Sequence, residues 1–191
     1  MKRLDLIVGP NGSGKSTFVA ETLSAHLPQS VFVNADIIAR DRWPEAPEAS
    51  SYEAAKIAES LRTRLIDAGR SFIAETVFSH PSKLELITQA QRAGFIVVVH
   101  VMIVPEELAV QRVRQRVRAG GHAVPEVKIR QRYVRLWPFV ATSIARSDEA
   151  TVYDTAGGVA PRVVAEFFGG ETVGRVRWPV WTPEPLVSLV P

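Results

Sequence analysis

The chain contains no cysteine, which excludes a disulfide framework, a thiolate nucleophile and a cysteine-ligated zinc site. It has no apolar run near the roughly 18 residues of a membrane-spanning helix, and its first apolar stretch is too short for a signal peptide. A strong excess of one charge is also lacking, because 23 basic residues stand against 20 acidic ones. We therefore expect a cytoplasmic protein that binds neither a membrane nor, through bulk charge, a nucleic acid.

What the chain does have is the composition of an ordinary folded domain. Its 191 residues are 46% hydrophobic and 23% charged, which favours one compact core over disorder or repeats. Arginine provides 18 of the 23 basic side chains, and its planar fork suits phosphate oxygens. We expect a domain over residues 1–168, with the tail 169–191, which contains tryptophan and proline, packed against it.

Short apolar runs alternate with helical patterns along most of the chain. This alternation predicts an α/β fold with a mostly parallel sheet between two layers of helices. The predicted strands are 4–8, 31–33, 71–74, 95–104 and 151–153. The predicted helices are 18–27, 50–68, 81–93, 105–118, one from about residue 125, and a short one over 162–168.

The strongest motif follows the first strand. Residues 9–16 read G-x-x-x-x-G-K-S between a predicted strand and a predicted helix, as a phosphate-binding loop (P-loop) requires. In such a loop, backbone N–H groups surround the phosphates of ATP or GTP, Lys15 reaches the β- and γ-phosphates, and Ser16 ligates Mg²⁺. A chance glycine-rich turn is the competing interpretation. The predicted nucleotide-binding residues are Gly9, Pro10, Asn11, Gly12, Ser13, Gly14, Lys15, Ser16 and Thr17.

Polar side chains follow two further strands. Asp36 comes after the second strand, and Glu75 with Thr76 ends the third. In a parallel sheet these ends meet at the edge that carries the P-loop, where ligands of α/β proteins bind. Asp36 is thus a candidate base for a substrate hydroxyl, although an Asx turn or a helix cap is an equal alternative. Glu75 and Thr76 are candidates for binding a polar ligand or the water around Mg²⁺, with turn chemistry as the alternative.

The segment 112–135 is rich in arginine. It holds seven arginines and one lysine against a single acid. Helical spacing stacks Arg112 with Arg116 and Arg114 with Arg118, beside a core-facing valine row. After Gly120-Gly121 a second helix carries further arginines, so the segment resembles a lid that closes over a transferring phosphoryl group. A solvated basic face that binds RNA is the alternative, and His122 is assigned no role.

Together these motifs resemble the zeta-toxin family of P-loop kinases, specifically its small stand-alone members. The resemblance covers most of residues 3–155 and rests on four blocks in order: residues 9–17, Val-Asn-Ala-Asp at 33–36 with Arg40, Glu75-Thr76, and Arg-Val-x-x-Arg-Val-x-x-Gly-Gly-His-x-Val-Pro-Glu from 112 with Arg132-Tyr133 after it. It implies a nucleotide-kinase-like core with a five-stranded parallel sheet. It also implies ATP- or GTP-dependent phosphorylation of a hydroxyl of UDP-N-acetylglucosamine, and an antitoxin partner.

The resemblance also implies roles for individual residues. Lys15 and Ser16 would hold phosphate and Mg²⁺, Asp36 would be the base, and Arg116 and Arg132 would clamp the phosphates. The residues it assigns to the substrate are Asn34, Arg40, Glu75 and Thr76, with Arg118 and Arg130 as the alternative lid arginines.

The chain departs from the large toxins of this family in being shorter and in lacking their sugar-binding insertions. A smaller sugar, a nucleoside or an amino alcohol therefore remains an alternative acceptor. Two other functions stay open at this point: a P-loop ATPase with no small-molecule acceptor, and an RNA-binding NTPase that uses the arginine segment.

Overall fold

A seven-stranded sheet forms the centre of the protein in the computed structural model, which describes residues 1–121, 124–158 and 160–190. The strand order is β2-β3-β1-β4-β5-β6-β7. The strands are β1 (Lys2–Val8), β2 (Val31–Asn34), β3 (Phe72–Thr76), β4 (Phe95–Ile103), β5 (Glu149–Asp154), β6 (Arg162–Phe168) and β7 (Glu171–Val173). Strands β1 to β5 pair in parallel, so the predicted α/β fold with a five-stranded parallel core is confirmed.

Helices connect the parallel strands. They are α1 (Lys15–Phe18), continued by a π-helical turn (Val19–Leu23) into α2 (Ser24–His26), then α3 (Ala35–Arg42), α4 (Ser51–Asp67), α5 (Ser82–Arg92), α6 (Glu106–Arg118), α7 (Glu126–Arg146) and α8 (Glu184–Val187). Each helix predicted between residues 18 and 146 is present, and α3 is an additional one. Within the described ranges, every helix is too short or too polar to cross a membrane.

The two faces of the sheet bury different helices, which gives the three predicted layers. Along β1, Leu6 and Val8 enter the main core, which includes side chains of α4, α5 and α7. Ile7 points to the opposite face, where it clusters with Phe18 and Leu23. This alternation follows from the two-residue period of a strand.

The prediction of a helix over 162–168 is wrong, because this segment is strand β6. It pairs antiparallel with β5, and β7 pairs antiparallel with β6, which adds two strands to the parallel five. A register shift in the β5–β6 pairing lets the neighbouring residues Val164 and Ala165 both be buried. This bulge interrupts the alternation of buried and exposed side chains that is typical of a half-buried strand. The hydrophobic pattern of 162–168 therefore resembles that of a short helix.

The C-terminal segment lies on the main core. Leu186 of α8 is fully buried, and Trp178 and Trp181 pack half-buried against the same cluster. Covering these large side chains removes from water an apolar surface that a free tail would expose.

The register of the parallel strands brings three chain segments to one edge. Val8 pairs with Thr76, and Asn34 pairs with Glu75. The end of β1, which leads into the P-loop, therefore lies level with the ends of β2 and β3. The strand-end side chains meet at this edge because parallel strands all point in the same direction.

Candidate functional site

The P-loop has a backbone that only glycine accommodates at two positions. Gly9 and Gly12 have φ angles of 146° and 78°, in the region that disfavours L side chains. A Cβ on Gly9 would lie 2.4 Å from the carbonyl oxygen of Met102, and one on Gly12 would lie 2.5 Å from that of Ala109. The loop is thus held tightly against β4 and α6, and its shape depends on these glycines.

Lys15 is buried at the base of this loop. Its Nζ donates to the carbonyl oxygens of Gly9, at 3.0 Å, and Pro10, at 2.9 Å. Burial lowers the pKa of Lys15. The nearby carboxylates of Glu75 and Asp36 oppose this shift. The positive charges of Arg116 and Arg132 lower the pKa further. The ammonium group therefore sits within electrostatic reach of side chains from four other parts of the chain.

Glu75 links the P-loop to the end of β2. Its carboxylate accepts a hydrogen bond from Ser16 Oγ, at 2.9 Å from Oε2, and another from Asn34 Nδ2, at 2.6 Å. A hydroxyl and a carboxylate that meet at a phosphate-binding loop are oxygen donors of the kind Mg²⁺ prefers, so these residues fit the nucleotide's metal ion. Within the described ranges, this site included, no group of three or more histidine or acidic side chains is placed to hold a metal.

Asn34, not Asp36, caps helix α3. Its Oδ1 accepts from the backbone N–H of Asp36, at 2.7 Å, and from that of Ile37, at 3.3 Å. The capping interpretation considered for Asp36 is therefore wrong, because another side chain fills that role. The Asp36 carboxylate is exposed and lines the cleft beside the P-loop, and the Arg40 guanidinium reaches back to its backbone oxygen at 3.4 Å.

The chain turns sharply after Glu75 and Thr76. Thr76 Oγ1 accepts from the backbone N–H of Phe78 at 3.3 Å. Phe78 is buried and has a φ of 65°, a conformation that costs a bulky residue on the order of 1–3 kcal/mol. The turn aligns Ser79 and His80 along the wall of the cleft.

The arginines of segment 112–135 divide into two groups. Arg112, Arg116 and Arg132 line the cleft, and Arg112 is anchored by a 2.8 Å hydrogen bond to the Thr155 carbonyl. Arg118 and Arg130, the alternative lid residues, do not line it.

Arg130 is held elsewhere by three carboxylates. It donates to Glu107 at 2.9 Å, to Glu126 at 3.0 Å and to Glu106 at 3.1 Å, and these partners raise its pKa well above the ordinary arginine value. Arg114 also pairs with Glu126. This network ties the first turn of α6 to that of α7. His122, which the sequence left without a role, lies outside the described residues.

One cleft of about 770 Å³ brings these residues together. Of the residues named from the sequence, it is lined by Asn11, Gly12, Gly14, Lys15, Ser16, Thr17, Asn34, Asp36, Arg40, Glu75, Thr76, Arg116 and Arg132. Gly9, Pro10 and Ser13 belong to the loop beneath it.

Sequence reasoning missed three further residues that line the cleft: Tyr52, Arg62 and Lys83. One signal was available: Arg62 continues the row Ala54, Ala58 at four-residue spacing, so a charged residue occupies the buried stripe of α4.

Known proteins match the chain in sequence. A model of the AAA domain family matches residues 4–135. A protein of Haemophilus influenzae named only as an uncharacterized protein is 29% identical over 126 residues, which are 65% of this chain and 88% of that protein.

Solved structures match it in fold. The AvrRxo1-ORF1:-ORF2 complex with ATP has a TM-score of 0.70 at 17% identity, covering 91% of this chain and 60% of that chain. The PezAT toxin-antitoxin system of Streptococcus pneumoniae has a TM-score of 0.61 at 15% identity, and the match covers 86% of this chain and 72% of that chain. A gluconokinase from Sinorhizobium meliloti has a TM-score of 0.53 at 17% identity, and the match covers 81% of this chain and 83% of that chain. These likenesses show a P-loop kinase-like fold, and the chain spans less than two thirds of the AvrRxo1 chain.

Proposed function

We propose that this chain, which belongs to the AAA domain family, is a cytoplasmic kinase. It transfers the γ-phosphoryl group of ATP or GTP to a hydroxyl of a sugar nucleotide such as UDP-N-acetylglucosamine, or of a related small metabolite. The observation that carries the proposal is the Asp36 carboxylate, which lines the same cleft as the P-loop lysine while Asn34 caps its helix. An exposed carboxylate beside a phosphate site suits a base that accepts the proton of an attacking hydroxyl.

In the proposed reaction, Asp36 takes the proton of the acceptor hydroxyl. The acceptor oxygen forms a bond to the γ-phosphorus as the bond to the β–γ bridging oxygen breaks, and the nucleoside diphosphate (ADP or GDP) leaves. Lys15, Arg116 and Arg132 neutralise the charge that spreads over the transferring group. Ser16 and Glu75 would hold Mg²⁺, which would supply positive charge to the nucleotide's phosphates. Asn34, Arg40 and Thr76 position the acceptor.

The likeness to the PezAT and AvrRxo1 complexes, together with the motif resemblance, supports a zeta-toxin-like role with an inhibitory protein partner. Expression of the wild-type chain in a bacterial host is then expected to arrest growth, and the Asp36→Asn variant is not. Equal growth of both strains would contradict the toxic role without contradicting the kinase reaction.

The reaction is tested by ³¹P NMR of the protein with Mg-ATP and a panel of acceptors that includes UDP-N-acetylglucosamine. We expect a new phosphomonoester signal with one acceptor, and its loss in Asp36→Asn. Asp41→Asn changes an exposed aspartate on the same helix α3 and serves as the matched control. Release of ADP and free phosphate at a rate that neither acceptor nor Asp36→Asn changes would instead indicate an ATPase. Salt-sensitive RNA binding that ignores nucleotide would indicate the RNA-binding alternative.

A further inference from the structure

Two cationic side chains that come from neither the P-loop nor the arginine segment line the cleft and interact electrostatically. Arg62 comes from the buried face of α4, and Lys83 from the first turn of α5. Tyr52, Ser79 and His80 line the same region. None of these residues belongs to the phosphate-binding motif or to the arginine segment, so the roles proposed above leave them unused.

Arg62 is a largely buried residue whose guanidinium opens onto the cleft. Only 7% of it is exposed, and in the described ranges no hydrogen bond or ion pair reaches it or Lys83. Its nitrogens are not among the fully enclosed, unpaired atoms of the described residues, so they remain accessible from the cleft that Arg62 lines. Arg112, which also lines the cleft, is by contrast anchored by the Thr155 carbonyl. A guanidinium is normally paired when it is buried, because removing its charge from water is costly.

The surrounding charges do not compensate this cost. Burial lowers the pKa of Arg62 and of Lys83, and Arg62 lowers the pKa of Lys83 further, while Glu59 opposes both shifts. Glu59 is exposed and forms no ion pair with either group. Two cations thus interact with each other in the cleft, and the opposite charge that acts on both comes from the exposed Glu59, which pairs directly with neither. This arrangement is unfavourable for folding by itself.

Neighbouring groups favour an anion at the same place. His80 Nδ1 accepts from the backbone N–H of Ser82 at 3.2 Å, so in the neutral ring the proton is on Nε2, which can donate to a ligand. Lys83 lies in the first turn of the 11-residue helix α5, where the helix dipole also attracts negative charge.

We propose that Arg62 and Lys83 bind a phosphate group that the acceptor already carries, so that the substrate is a phosphorylated alcohol. Two unpaired positive charges match a phosphate dianion, or the two charges of a diphosphate, better than a single carboxylate, and guanidinium binds phosphate oxygens in pairs. A sugar phosphate and a sugar nucleotide both provide this chemistry. The inference rests on the proposed kinase function for the reaction, but the anion site itself does not require turnover.

Calorimetric titration of the full chain tests the site, with the P-loop saturated by a non-hydrolysable ATP analogue and Mg²⁺. The probes are N-acetylglucosamine, its 1-phosphate, UDP-N-acetylglucosamine, glycerol 3-phosphate and gluconate. At least one phosphorylated probe is expected to bind, with a Kd raised tenfold or more by Arg62→Gln and by Lys83→Gln, and partly restored in Arg62→Lys. Arg64→Gln, an exposed position two residues along α4, is expected to leave that Kd within twofold. The phosphorylated probe that binds best separates a sugar phosphate from a sugar nucleotide.

Binding of the neutral sugar or of gluconate in preference to every phosphorylated probe would overturn the proposal. Binding of a phosphorylated probe with a Kd that Arg62→Gln leaves unchanged would also overturn it.

Thermal unfolding without ligand provides a test that does not depend on the choice of probe. Because Lys83→Met removes an uncompensated charge, it is expected to raise Tm by a few degrees, and pyrophosphate is expected to stabilise the wild type more than the variant. A Tm lowered by Lys83→Met, with equal stabilisation of both proteins by pyrophosphate, would overturn the anion site.

These outcomes separate the anion site from the kinase proposal. Arg62-dependent binding without phosphoryl transfer would contradict the kinase and keep the site. Phosphorylation of an alcohol that lacks phosphate, at a rate unaffected by Arg62→Gln, would keep the kinase and overturn the site.

Discussion

Ser16 of the P-loop donates its hydroxyl hydrogen bond to Glu75 at the end of β3, with 2.9 Å between Oγ and Oε2. The two residues are far apart in sequence, and the contact places a carboxylate next to the hydroxyl that is expected to ligate Mg²⁺. A carboxylate binds this hard cation better than a neutral amide does. Glu75→Gln is therefore expected to raise the Mg²⁺ concentration that gives half-maximal turnover by roughly tenfold.

A titration of turnover with Mg²⁺ at saturating ATP measures this effect. Glu85→Gln, an exposed glutamate on α5, is the matched control and should behave as wild type. An unchanged Mg²⁺ dependence in Glu75→Gln would show that Glu75 does not act on the metal.

A methyl group on Gly12 would collide with backbone, whereas one on Gly94 would not. Both glycines have positive φ angles, 78° and 79°, but a Cβ on Gly12 meets the Ala109 carbonyl oxygen at 2.5 Å and one on Gly94 meets nothing within 4 Å. Gly94→Ala is expected to cost about 1–2 kcal/mol of unfolding free energy from conformation alone. Gly12→Ala is expected to cost more and to abolish ATP binding.

Urea unfolding and fluorescent-nucleotide binding measure the two effects separately. Tight ATP binding by a folded Gly12→Ala variant would contradict the expected shape of the loop.

Arg132 faces the cleft, and Arg135, three residues further along α7, does not. If Arg132 stabilises charge on the transferring phosphoryl group, Arg132→Gln lowers kcat on the order of 10²–10³-fold with little change in ATP affinity. Arg135→Gln should leave kcat within about twofold. Steady-state kinetics of both variants test this prediction. An equal loss of kcat in Arg132→Gln and Arg135→Gln would show that the effect comes from net charge and not from the position of Arg132.

Tyr133 makes the free energy of unfolding depend on pH in the alkaline range. Its hydroxyl donates to the Val104 carbonyl at 2.9 Å, and burial, together with Glu106, raises its pKa from 10.0 to about 12. Because the folded-state pKa is the higher one, this contribution to stability is fully present below pH 10 and is lost as the pH rises towards 12. The loss should approach roughly 2–3 kcal/mol at most.

Chemical unfolding of wild type and Tyr133→Phe at several pH values from 8 to 12 tests this. The variant should be less stable at pH 8, and the difference should shrink above pH 10. A constant difference would show that the phenol ionises equally in both states.

The arginines of segment 112–135 depend on helix packing that their spacing does not encode. The spacing of Arg112 and Arg116 correctly indicated one helical row, yet it could not say which row faces the cleft. Burial of Val110 and Val113 sets the rotation of α6, and the three glutamates that hold Arg130 come from the first turns of two helices. These contacts depend on how the helices pack, which spacing along one helix does not contain.

The sequence was sufficient to predict the features that local chemistry controls: the P-loop motif, the five parallel strands, the helices between them except α3, and the strand-end positions of Asp36 and Glu75. These follow from backbone conformation, hydrophobic period and the common direction of parallel strands. That residues 162–168 form a strand depends on tertiary contacts, because the open edge of β5 offers hydrogen bonds that a seven-residue pattern cannot reveal. The tertiary structure also decided that Arg62 and Lys83 both line the cleft, since helices from separate crossovers must pack before two distant cations can meet.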